Sequence, residues 1–277
     1  MTASSSDAHE VPLVTVVVPT RNVARTLDAC LASVRAQDHP RVELLVVDNH
    51  STDETQEIAR RWADEVLVAG PERSAQRNLG YARAAGEWVA WIDSDMVLSS
   101  NVVSDCLRVA ERDGAEAVSI PERSFGPGFW TACRALERSC YLDDPSLFNP
   151  RLLRKGLLES LGGFDESMSG PEDAHLRHEL HARGTTIAMA DALILHDEGR
   201  LSLRTIVDKR IYYGRSIPAF AEANPGRTAQ QGAATLRSLW RHRSRLAADP
   251  AHGAGVLLMR GVEAVAYGVG AWKGSRA

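Results

Sequence analysis

The sequence predicts an α/β fold, a mixed and mainly parallel sheet flanked by helices, with a helical C-terminal extension. Short β-branched runs alternate with helical segments through the N-terminal part of the chain, and strands separated by helices imply the crossovers of parallel pairing. Three of the apolar runs end in polar clusters: Pro19-Thr20-Arg21-Asn22, Asp48-Asn49-His50-Ser51 and Asp93-Ser94-Asp95. Ligands of parallel sheets bind beyond the carboxyl ends of the strands, so the chemistry is expected at these clusters.

The strands are predicted at Leu13 to Val18, Leu44 to Val47, Glu65 to Val68 and Trp88 to Ile92. Between them, Ala24 to Ala36 has helical periodicity, and Ser74 to Ala85 is closed by Gly86. Thr52 to Trp62 follows Ser51 with Glu54 three residues on, the pattern of a capping box. Further along, Phe129 to Tyr141 and Glu172 to Arg183 are predicted helical, Phe148 to Lys155 extended and Thr186 to Leu195 a strand. Beyond Asp197, helices are expected at Leu203 to Ala223, Ala229 to Ala248 and Gly253 to Trp272, broken by Pro225 and Pro250.

Composition narrows the function classes. The chain has 277 residues, 44% of them hydrophobic, enough for one large domain or one domain plus a small appendage. Its 32 Lys+Arg against 36 Asp+Glu give a formal charge of −4, so no basic field exists to hold a nucleic-acid backbone. Cys30, Cys106, Cys133 and Cys140 lack a C-x-x-C spacing and read as reduced and structural. Met1 to Glu10 has neither the basic start nor the apolar run of a secretory signal and reads as a flexible tail. No stretch of about 18 uncharged apolar residues occurs, so a cytoplasmic protein is expected.

Asp93 and Asp95 follow an apolar strand, and an extended chain would send both carboxylates to the same side. Mg²⁺ takes one or two protein carboxylates and completes its shell with phosphate oxygens and water. The bland alternative is an Asx turn or helix cap. A second acidic pair, Glu172-Asp173, follows Gly162-Gly163-Phe164-Asp165 and Gly170-Pro171 at a helix start, where complementing the helix dipole is its bland role. His196 stands at another strand end, and an imidazole beside carboxylates and phosphate suits Mn²⁺ as well as Mg²⁺. Arg73 and Arg77 are placed to reach a nucleotide or phosphate, or else to line a solvated helix face.

Taken in order, Val16-Val-Val-Pro-Thr-Arg-Asn22, Val46-Val-Asp-Asn-His-Ser-Thr-Asp53, Arg77-Asn78-Leu-Gly80, Ala85-Gly-Glu87, Asp93-Ser-Asp95, Gly162-Gly-Phe164 and Glu172-Asp173 resemble a family 2 glycosyltransferase of the GT-A fold, over roughly Leu13 to Gly214. The resemblance implies that Pro19, Thr20 and Arg21 border the nucleotide, that Asp48 meets its base and Arg77 its base or phosphates, and that Asp93 faces the ribose or sugar. It further implies that Asp95 binds metal with His196 completing the shell, that Asp173 is the catalytic base and that Glu172 orients an acceptor hydroxyl. The division of roles between Glu172 and Asp173 stays open. Asn49 departs from relatives that carry a second aspartate there, which bears on nucleotide preference.

The implied reaction is inverting transfer of a sugar from a nucleoside-diphosphate sugar to an acceptor hydroxyl, with Mn²⁺ or Mg²⁺ on the diphosphate. A catalytic domain at residues 12–200 is expected, with a donor half to about residue 98 and an acceptor half beyond it, between a tail at 1–11 and an extension at 201–277. A nucleotidyltransferase would use a similar metal pair but should carry a glycine-rich triphosphate loop, which Pro19-Thr-Arg-Asn22 is not. A silent sugar-nucleotide-binding protein is the alternative from another class. Acceptors from small metabolites to polysaccharides and lipid-linked molecules stay open, as does a homodimer. Arg237, Arg241, Arg243 and Arg245 around Leu236, Trp240 and Leu246, followed by Val256-Leu-Leu-Met259, predict peripheral contact with the inner face of a membrane. The alternative is that the helices carrying Leu257, Leu258, Val262, Val265 and Trp272 pack on the catalytic domain or a second subunit, with the arginines in water.

Overall fold

The computed structural model describes residues 11–168 and 170–276, so the expected tail lies outside the described residues except for Val11. The first strand, β1 (Val14–Thr20), is buried along its whole length, and its alternation sorts side chains between two layers. Val14, Val16 and Val18 pack with Leu27, Leu31 and Val34 of helix α1 (Ala24–Arg35), while Val17 points to the opposite layer with Leu45, Val47 and Val89. Each such fully buried Val or Leu contributes about 1.5–3 kcal/mol relative to exposure.

Strand β2 (Val42–Asp48), helix α2 (Thr55–Trp62), strand β3 (Glu65–Val68), helix α3 (Arg73–Arg83) and strand β4 (Trp88–Trp91) complete the N-terminal unit. The register pairs Thr20 with Asp48 and Asp48 with Val68, which brings the polar strand ends together. Helix α3 lies close over β1 at Gly80, where a Cβ would stand 2.3 Å from a Val17 methyl.

Then follow β5 (Met96–Leu98), α4 (Val102–Asp113), β6 (Ala117–Ser119), β7 (Glu122–Phe125), α5 (Phe129–Ser139), β8 (Pro150–Arg154), α6 (Lys155–Leu161), α7 (Glu172–Ala182), β9 (Ile187–Met189) and β10 (Ile194–Asp197). The main sheet has seven strands in the order β3-β2-β1-β4-β8-β6-β9. Its first four strands are parallel, β8 is antiparallel to β4 and β6, and β9 is parallel to β6. A second sheet, β5-β10-β7, stands at the carboxyl ends of the first.

The chain continues through α8 (Leu203–Gly214), α9 (Ile217–Ala223), α10 (Arg227–Arg241), α11 (Arg243–Ala248) and α12 (Pro250–Gly274). Helix α12 packs against α8 and α5 and is, by length and composition, apolar enough to cross a membrane. It carries Arg260 and Glu263.

Four expectations are corrected. The segment Thr186 to Leu195 is two strands in different sheets, because the Asp105 carboxylate accepts the N–H groups of Asp191 and Ala192 at 2.7 and 2.8 Å and fixes a turn between them. The helices expected at 203–223 and 229–248 are each divided, the first after Gly214 and the second at His242. The break expected at Pro250 is present, since α11 ends at Ala248 and Pro250 opens α12, with Asp249 accepting the His252 N–H. No capping box forms at Ser51, and α2 begins only at Thr55, whose N–H is accepted by Asp53.

Candidate active site

Two polar clusters occupy the carboxyl ends of the central strands. In the first, the buried Asp48 carboxylate accepts from Thr20 Oγ1 at 3.0 Å, from the Ser51 N–H and hydroxyl at 2.8 and 2.5 Å, and from Gln56 Nε2 at 2.7 Å. Those four donors match the lone-pair capacity of a carboxylate. This is why Ser51 does not cap α2: a buried charged acceptor claims its hydroxyl. It also bears on the contact expected between Asp48 and a nucleotide base, which would have to displace one of these donors. Pro19 and Thr20 are buried in β1, whereas Arg21 is exposed at the loop. Asn22 ties the two loops together, donating its N–H to Ser51 Oγ and accepting the Thr52 N–H on Oδ1.

The second cluster gathers around α3. Arg77 is buried and donates to Asp93 Oδ1 at 2.9 Å and to Asp173 Oδ1 at 2.7 Å, joining the end of β4 to the start of α7. Its guanidinium lies 5.2 Å from the centre of the Phe164 ring, which meets Trp91 edge-on at 4.8 Å. The next residue, Asn78, accepts the Phe164 N–H at 2.8 Å and donates to the Phe164 carbonyl at 2.9 Å. Gly163 has φ +84°, and a Cβ there would strike the Asn78 amide at 2.5 Å. The Gly162-Gly163-Phe164 motif therefore clamps the loop that seats Arg77.

Asp93-Ser94-Asp95 is a turn, with the Met96 N–H bonded to the Asp93 carbonyl, and not the extended pair the spacing implied. The two carboxylates have separate partners. Asp93 faces Arg77, Arg73 at 3.9 Å and Arg151 at 3.5 Å; burial works to raise its pKa, but the three guanidiniums hold it well below the usual carboxylate range. Asp95 Oδ2 lies 3.2 Å from His196 Nε2, and Asp95 Oδ1 is buried without a hydrogen-bond partner. Burial alone would lower the imidazole's pKa, but Asp95 and Glu122 push it up to about 10.

Glu122 and Arg151 were not picked out from sequence, yet they bridge the two halves of the cluster: Arg151 Nε donates to Glu122 Oε1 at 2.7 Å, and Glu122 Oε2 stands 3.7 Å from His196 Nδ1. The available signal was a charge placed inside an otherwise apolar strand, as in Pro150-Arg-Leu-Leu153. At the start of α7, Glu172 is 1% exposed, accepts the Gly170 N–H and pairs with Arg73 at 3.0 Å. Burial and the adjacent Asp173 raise its pKa against the pull of Arg73 and Arg77. Asp173 keeps 16% of its side chain exposed, which makes it the more accessible of the pair.

Five carboxylates (Asp93, Asp95, Glu122, Glu172 and Asp173) thus share the cluster with the guanidiniums of Arg73, Arg77 and Arg151 and the imidazole of His196. No group of three or more His, Cys, Asp or Glu among the described residues is set to hold an ion. The orphaned Asp95 oxygen beside His196 does fit a divalent cation whose remaining ligands come from a phosphorylated substrate.

A mainly parallel sheet with a short sheet across its strand ends, and arginines and carboxylates converging between them, defines a GT-A type of α/β protein. Residues 15–162 match the profile described as Glycosyl transferase family 2, and the chain belongs to that family. Glycosyltransferase AglE of Haloferax volcanii is 36% identical over 200 residues, 66% of each chain. The pre-mycofactocin glycosyltransferase of Mycobacterium tuberculosis is 28% identical over 236 residues, 78% of this chain and 49% of that one. The matches therefore span about two thirds of the first relative's length and about half of the second's.

Among solved structures, the mannosyltransferase PcManGT from Pyrobaculum calidifontis in complex with GDP-Man and Mn²⁺ superposes with TM-score 0.65 at 23% identity, covering 96% of this chain and 88% of that one. TarS residues 1–349 from S. aureus in complex with UDP-GlcNAc gives TM-score 0.51 at 21% identity, over 84% and 73% of the two chains. Both show the likeness of the fold.

Proposed function

We propose that this protein is an inverting glycosyltransferase that moves a sugar from a nucleoside-diphosphate sugar to an acceptor hydroxyl. The observation that carries the reading is Arg77, buried between Asp93 at a strand end and Asp173 at a helix start. One guanidinium thereby couples a donor-side carboxylate to the candidate base. Residues 15–162 lie in the family profile, and relatives named for GDP-Man and UDP-GlcNAc complexes support a nucleotide-sugar donor.

In this reading Arg73 and Arg77 face the charge that builds on the departing diphosphate. Asp95 and His196 would hold Mn²⁺ or Mg²⁺, which when bound supplies Lewis-acid stabilisation of the leaving group. Asp173, the more accessible acid, takes the acceptor proton, while Glu172 is fixed by Gly170 and Arg73 and holds the loop. The Thr20–Asp48–Ser51 network keeps the nucleotide-side loops rigid.

Thermal denaturation with uridine, guanosine and thymidine diphosphates, each with Mn²⁺ or Mg²⁺, tests donor binding. One base should raise the midpoint selectively, since a ligand at a hundredfold excess over Kd stabilises by about 2.7 kcal/mol. No shift with any diphosphate and either metal would contradict the reading.

A further inference from the structure

Helix α12 is built inside out. Its exposed positions from Ala254 to Val269 are all apolar, with Leu257 64% and Val265 69% exposed and Leu258 and Val269 beside them. At about 1.5 Å per residue this face runs roughly 24 Å without a polar side chain. The helix's two charged residues in that stretch turn inward: Glu263 is buried and accepts from Arg134, from Arg210 at 2.7 Å and from Arg260 at 3.0 Å. Alongside, α8 contributes Val207 and Ile211 to an apolar groove of about 610 Å³.

We propose that this face of α12, with the α8 groove, seats on the surface of a lipid membrane. Two features favour lipid over a folded partner. Protein interfaces carry a polar rim and about one hydrogen bond per 100–200 Å², whereas the groove and the exposed stretch offer no side-chain donor or acceptor. The face ends in Trp272, exposed, with the Arg276 guanidinium stacked on it at 4.1 Å and Lys273 adjacent. An aromatic ring capped by cations at the edge of an apolar band suits the headgroup layer, and the cations suit anionic lipid. Spanning is disfavoured because the opposite face of α12 is packed on α8 and α5 and holds the Glu263 ion network.

The location differs from the arginine cluster expected from sequence: Arg245 folds back onto the Ser139 carbonyl, and Arg243 stacks on Trp240. The α12 face also leads to the active site. Helix α8 runs from Ile211 in the groove to Tyr212, whose hydroxyl donates to Glu72 at 2.7 Å, and to Tyr213, over which Arg73 lies at 5.6 Å. On the transferase reading, an acceptor held in the lipid meets the site from the α8 side.

Flotation of the full chain with vesicles of phosphatidylcholine and phosphatidylglycerol tests the proposal without requiring transfer activity. Wild-type protein should float, and the exposed-face pair Leu258→Glu and Val265→Glu should lower the bound fraction by about tenfold or more. Leu236→Glu, at an exposed apolar site on α10, serves as control and should float like wild type, and the milder pair Leu258→Gln and Val265→Gln should fall between. Wild type that stays in the soluble fraction overturns the proposal. So does a wild-type dimer, seen by light scattering, that the glutamate pair converts to monomer, because the face would then belong to a second copy.

Discussion

At the residue scale, function turns on how the acids are divided. Asp173 and Glu172 are neighbours, but one is accessible and the other is enclosed by Gly170 and Arg73. On the proposed mechanism, replacing Asp173 by Asn keeps the shape and removes the proton acceptor. Transfer should fall by about 10²–10⁴-fold, the usual contribution of a positioned base, with donor affinity by calorimetry little changed. Near wild-type turnover under saturating substrates would remove Asp173 from that role. Asp95→Ala should act earlier, weakening metal-dependent donor binding by about 10–100-fold or more, and an unchanged metal titration would exclude Asp95 as a ligand. Asp95 stood out in the sequence as a polar break after an apolar run, and Asp173 as one of two adjacent acids after Gly170-Pro171 at a helix start. Glu122 and Arg151 did not, because Glu122 opens a polar strand and the lone charge of Arg151 in an apolar one acquires its meaning only from a strand brought alongside.

At the element scale, local signals held where one periodicity ruled and failed where a side chain reached across the fold. The strands β1 to β4 and the helices between them were legible, because their apolar spacing answers to a single packed layer on each face. The expected capping box was lost to Asp48, and the expected strand over 186–195 was cut by Asp105 from α4, neither of which neighbouring residues reveal. Asp105 offers a test. Burial works to raise its pKa, but the Ala192 N–H, the Arg108 guanidinium and the Asp191 N–H bring it below the ordinary value. Its carboxylate therefore stabilises the fold fully above the unfolded value of about 3.9, and the contribution is lost as pH falls through the lower folded value. Asp105→Ala should cost about 1–3 kcal/mol in denaturant unfolding at neutral pH, with two buried N–H groups orphaned. The gap from wild type should narrow on acidification, and a constant gap would show that ionisation plays no part.

At the scale of the whole molecule, the seven-stranded sheet brings the ends of β1, β2 and β4 to one edge, and the three-stranded sheet and α7 close over it. Residues nearly a hundred positions apart, such as Arg77 and Asp173, meet only through that arrangement. The family was legible because its motifs recur in order along the chain. The outward apolar face of α12 was not, since helical spacing alone does not say which side the rest of the protein covers. The central claim is the reaction itself. NMR of the purified chain with Mn²⁺, the sugar donor of whichever nucleotide stabilises it, and a panel of hydroxyl acceptors follows both products at once. The account predicts release of nucleoside diphosphate together with a new glycoside of inverted anomeric configuration. A glycoside of retained configuration, release of pyrophosphate, or donor binding with no turnover on any acceptor would contradict it.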